Sequence, residues 1–68
     1  MDLLEFWGSQ VRLTVIDHHV FVGHVDSVVS QADNDDKEES ILFRPDSGSL
    51  KGSLLEIMRS EILEISKI

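Results

Sequence analysis

The sequence predicts a small, mainly β, barrel-like domain, on three observations. Residues 11–25, VRLTVIDHHVFVGHV, alternate apolar and polar up to a short polar interruption and alternate again after it, the pattern of a twisted β-hairpin. Residues 41–44 read as a further short strand, and Pro45, Asp46, Ser47 and Gly48 follow as a turn with proline and glycine in favoured places. No residue set has the spacing of a catalytic or metal centre, so the chain reads as a binding module and not as an enzyme.

Size shapes the reading of assembly. A chain of 68 residues buries only about 60% of the surface it would expose unfolded, so its core is small. Domains of this length commonly add disulfides, a structural metal or a partner subunit, and the absence of cysteine removes the first and the usual thiolate zinc sites. Self-association is the remaining candidate. No run approaches the roughly 18 apolar residues of a membrane span, and residues 1–7 are too short and too acidic for a secretory signal. These features point to a cytoplasmic protein with no membrane partner.

Taken in order, residues 1–8 predict one or two helical turns: Asp2 caps, Glu5 stands three residues on, and Gly8 stops the helix. Phe6 and Trp7 are expected to lid the core, with base stacking as the sharper role. In the hairpin, a three-residue loop of Asp17, His18 and His19 sets Val15 opposite Phe21, Leu13 opposite Gly23 and Val11 opposite Val25, gathering one apolar face. Arg12, Thr14, Val22 and His24 share the other. Such a loop needs a left-handed residue, and His18 is assigned to it. The period of two slips between Val25 and Val28, so a bulge is expected near Asp26 and Ser27. Residues 31–40 form a polar loop, residues 41–44 a third strand, and Gly52 another bend.

The last segment, SLLEIMRSEILEISKI, fits two structures. As a helix it has a capping box from Ser53 to Glu56 and a broad apolar face. As strands it reads residues 54–58, a tight turn at Arg59, Ser60 and Glu61, then residues 62–66. Periodicity slightly favours the helix, which would make a dimerising amphipathic element.

From Val11 onward the chain resembles the Sm-like family of small, five-stranded, strongly bent antiparallel barrels (SH3-like in shape) with a short N-terminal helix. Val11, Leu13, Val15, the turn at Asp17 and His18, then Phe21, Val22, Gly23 and Val25 follow the family's first motif. Ile57 to Ile65 resembles its closing strand, 3₁₀ turn and strand. The resemblance implies two strands at residues 54–66, one Sm-like domain over residues 1–68, and ring assembly. It departs from RNA-binding members where an Asp and a base-contacting Asn stand: Val29 and Asp33 occupy those positions. Met58, Arg59 and Ser60 replace Ile, Arg and Gly, and His18 replaces the turn glycine. Arg59 carries over, and the candidate RNA-binding residues are Arg59, Ser60 and His18.

Charge complicates that candidate. Thirteen acids against six bases give −7, of which residues 33–39 hold five acids and Lys37. An acidic surface repels phosphate at long range, although a ring gathers one Arg per chain around a pore. Two partners are therefore expected: single-stranded RNA at Arg59, or a basic protein on the acidic surface. His18, His19 and His24 read as surface histidines, not metal ligands, because His24 is far along the strand. Residues 33–39 read as a solvated loop, since they lack the glycine and ligand alternation of a calcium loop. Residues 47–53 are a Gly/Ser-rich connection without the ending of a phosphate cradle. Neither a cofactor nor a small-molecule substrate is expected.

Overall fold

The computed structural model describes residues 2–30 and 38–68. A 3₁₀ helix at Leu3–Phe6 leads into β1 (Gln10–Val15), β2 (Val20–Val29), β3 (Ser40–Pro45) and β4 (Leu55–Met58). A 3₁₀ turn at Arg59–Glu61 then precedes β5 (Ile62–Lys67). The five strands form one antiparallel sheet in the order β4-β3-β2-β1-β5. It is an open sheet: β4 and β5 are its two edges, so the ladder does not close on itself within the chain.

Asp2 caps the first helix by accepting from the Leu4 N–H at 3.1 Å, and Gly8 follows at a φ of 78°. With three residues per 3₁₀ turn, positions i and i+3 eclipse. Leu3 and Phe6 therefore face the core together, and Leu4 and Trp7 face solvent together. The lid is Phe6 alone; Trp7 is 54% exposed, against the expectation that both aromatics cover the core.

The hairpin loop has the expected length but starts one residue earlier. The Val15 carbonyl accepts from His18 N–H at 2.8 Å, and Val15 N–H donates to the His19 carbonyl at 3.0 Å, so the loop is Ile16, Asp17 and His18. His18 takes the left-handed conformation assigned to it, φ 68°. In this loop type the left-handed residue is the third one, which fixes the start at Ile16. Asp17 supports the turn by accepting from His19 N–H at 3.0 Å. The register consequently moves by two: Leu13 opposes Phe21 and Val11 opposes Gly23, correcting the pairing read from the sequence. A shift of two preserves which face each side chain takes, so the inward set is unchanged.

Gly23 is where β2 and β3 approach closely. A Cβ there would lie 2.3 Å from the Arg44 carbonyl oxygen and 2.9 Å from Pro45 Cα, so β3 crosses too closely for any side chain. Beyond it, the register of β2 against β3 slips between Val25 and Ser27, the expected bulge. Val25 turns its backbone to the residues after the first helix, accepting from Gly8 N–H at 2.9 Å and donating to Ser9 at 3.0 Å. The bulged Asp26 meets Arg44, whose Nε and Nη2 reach one carboxylate oxygen at 3.1 and 2.9 Å while Nη1 holds the Gly52 carbonyl at 2.6 Å. That clamp pins the β3–β4 connection, in which Gly48 and Gly52 both adopt positive φ.

One apolar core results, built from Leu3, Phe6, Val11, Leu13, Val25, Val28, Ile41, Phe43 and Ile62, with Val15, Phe21, Ile57 and Ile65 packed on it. The C-terminal segment is two strands around a turn, not a helix. Tertiary pairing decides what periodicity left open: β4 lies on β3 and β5 returns to β1.

Candidate functional site

The 3₁₀ turn at Arg59–Glu61 brings three connections together at one end of the sheet. Its own geometry is set by Glu61, whose side chain accepts from Met58 N–H at 2.9 Å, and by Ile62 N–H, which donates to the Arg59 carbonyl. The β1–β2 loop joins through Ile16 N–H, which donates to the Glu61 carbonyl at 2.9 Å. The end of the β2–β3 connection joins through Arg59 N–H, which donates to the Glu39 carbonyl at 2.9 Å.

The side chains follow this backbone frame. Arg59 Nη1 lies 3.2 Å from Glu39 Oε1, both groups partly buried. The Ser60 N–H donates to a carboxylate oxygen of Glu38 in a short hydrogen bond. Arg59 and Ser60 thus present a guanidinium and a backbone N–H side by side, the donor pair that binds phosphate oxygens in nucleic-acid complexes. Here both meet carboxylates of the same chain. With Glu38, Glu39 and Glu61 around one arginine, the end of the sheet is locally acidic.

Of the three candidate residues, Arg59 and Ser60 are neighbours in the turn, and His18 sits in the loop that Ile16 anchors to it, exposed two residues along. Val29 closes β2, and Asp33 lies outside the described residues. Sequence reading placed Glu38 and Glu39 in a solvated acidic loop and missed their pairing with this turn. Their signal was available once the strands were paired: Ser40 opposes Met58, so Glu39 falls opposite Arg59, an opposite-charge pair across the ladder.

A concavity of about 380 Å³ lies between the start of β2 and the β3–β4 connection, lined by His19, Phe21, Pro45, Gly48 and Leu50 among others. The His19 ring stacks on Phe21 with centroids 4.9 Å apart and 24° between planes. Among the described residues, no three His, Cys, Asp or Glu side chains form a group that could hold a metal ion. The calcium reading of residues 33–39 falls mostly outside those described. Among the described residues, no helix is long and apolar enough to cross a membrane. No family model, curated protein or solved structure matches the chain.

Proposed function

We propose that this chain is a non-enzymatic Sm-like binding module that assembles from copies of itself and binds single-stranded RNA at the turn carrying Arg59 and Ser60. The observation that carries the reading is the order of elements around two free edges. A short helical lid, a three-strand meander and a strand, 3₁₀ turn and strand leave β4 and β5 outermost in the sheet. Unpaired edges recruit further strands, and pairing β4 of one copy with β5 of the next is a head-to-tail contact that a ring can close.

The backbone directions suit this pairing. Ile68 N–H donates to the Gln10 carbonyl at 3.0 Å, so alternation along an antiparallel ladder aims Ser66 at β1 and leaves the polar groups of Lys67 and Ile65 facing outward. On β4, Arg59 N–H bonds to Glu39, so Met58 N–H points away from β3 and is taken by Glu61. The open part is then the start of β4 at Glu56, with Leu54 just before it. Leu54 and Leu63 are 50% and 51% exposed, apolar surface that a neighbouring copy would cover.

RNA binding is tested by filter retention of labelled oligo(U) and oligo(A) across a sodium chloride series. The expected result is retention at low salt that falls steeply as salt rises, because phosphate contacts release counterions. No retention of either at low salt removes the RNA part and leaves the assembly. The net charge of −7 favours a second reading, an acidic module whose partner is a basic protein. Neutralising residues 33–39 would then abolish capture of the same basic protein.

A further inference from the structure

We infer that the chain holds its own binding turn shut: Glu38 and Glu39 occupy the donors of Ser60 and Arg59, and a phosphate-bearing strand has to displace them. This rests on the RNA reading of that turn and adds its regulation. Three contacts carry it. The Ser60 N–H is on the Glu38 carboxylate, the Arg59 guanidinium is on the Glu39 carboxylate at 3.2 Å, and the Arg59 N–H is on the Glu39 carbonyl at 2.9 Å. The first two donors are the ones a phosphate would use, and each already has an anionic oxygen in place.

The device is built to open. Glu38 and Glu39 are consecutive, and rotation of their side chains alone would free both donors while the backbone bond from Arg59 to Glu39 holds the chain in place. Both ion-paired groups are partly exposed, with 38% of the Arg59 and 28% of the Glu39 side chain accessible, and exposed pairs are individually weak. Their advantage is that they sit on the same chain, at a high effective concentration against any free anion. A ligand with several phosphates overcomes this more readily than a single phosphate. The carboxylates of Glu38 and Glu39 then set a threshold for anion binding.

The test uses inorganic phosphate as the probe, titrated into the full ¹⁵N-labelled chain while the Arg59 and Ser60 amide signals are followed. Three proteins are compared: wild type, Glu38→Gln with Glu39→Gln, and a charge-matched control, Glu5→Gln with Glu64→Gln, at positions away from the turn. The expected midpoint is roughly three- to tenfold lower in the Glu38/Glu39 variant, with control and wild type alike. Equal midpoints in all three, or no response in the Glu38/Glu39 variant, overturn the inference. Fluorescence anisotropy with oligo(U) separates the two claims. If no protein binds oligo(U) while phosphate behaves as expected, the latch stands and RNA recognition falls. If oligo(U) binds wild type and the Glu38/Glu39 variant equally, the latch falls and RNA recognition stands.

Discussion

The β1–β2–β3 meander and the C-terminal β4, turn and β5 are held in different ways. In the meander, Val11, Leu13, Val25, Ile41 and Phe43 are fully buried, and Gly23 lets two strands touch. In the C-terminal segment only Ile62 is buried, Leu55, Ile57 and Ile65 are partly covered, and Leu54, Leu63 and Ile68 are half exposed or more. Its turn is fixed by polar contacts from Glu61, Ile16 and Glu39. The meander is specified by its own packing, and the C-terminal segment by hydrogen bonds and, on our proposal, by a neighbouring copy. The number of fully buried side chains is the difference between them, and on our proposal Leu54 and Leu63 mark the surface that assembly would cover.

The contrast can be broken at its strongest point first. Gly23→Ala should destabilise the fold by about 3 kcal/mol, because an added Cβ meets backbone of β3 that cannot move without breaking its pairing with β2. Chemical denaturation measures this, and a loss below about 1 kcal/mol would remove the close crossing as the reason for glycine. A smaller effect should come from the other region. Glu61→Ala frees the Met58 N–H and should cost about 1 kcal/mol, lowering the melting temperature by about 5 °C. Amide exchange should quicken at Met58 and stay unchanged at Leu13 if the two regions are held separately. The smallest effect has the opposite sign. His18→Gly should stabilise by about 0.5 kcal/mol, since the left-handed penalty of about 1–2 kcal/mol exceeds the added chain entropy of glycine, about 0.5–1 kcal/mol. A lowered melting temperature would mean that the imidazole makes a contribution larger than the strain.

The meander was legible because its signals are local. Alternation over residues 11–25 gave both inward faces, the slip after Val25 gave the bulge, and the poverty of other candidates gave His18 its left-handed place. The register was off by two because loop position depends on where the left-handed residue falls within the loop, which strand alternation does not constrain. Trp7 was misplaced for a similar reason: its side follows from 3₁₀ and not α-helical pitch. Residues 54–66 were ambiguous in isolation because apolar residues there satisfy both periods. Only pairing with β3 and β1 distinguishes the two, and a strand whose outer face stays in water carries a weak pattern. At the turn, Arg59 and Ser60 were singled out as candidates through family resemblance. Glu38 and Glu39 emerged only from the cross-strand register, a long-range fact.

The most direct test of edge pairing between copies is the mass of the full chain by sedimentation equilibrium, with Lys67→Pro alongside. Proline at Lys67 removes an outward N–H of β5 while leaving the bonds of Ser66 and Ile68 to β1 in place. The account predicts a discrete multiple of the 7.7 kDa chain for the wild type and a folded species of 7.7 kDa for the variant. A wild type that sediments as a single chain at the highest concentration reached, or a variant that keeps the wild-type mass, would contradict it.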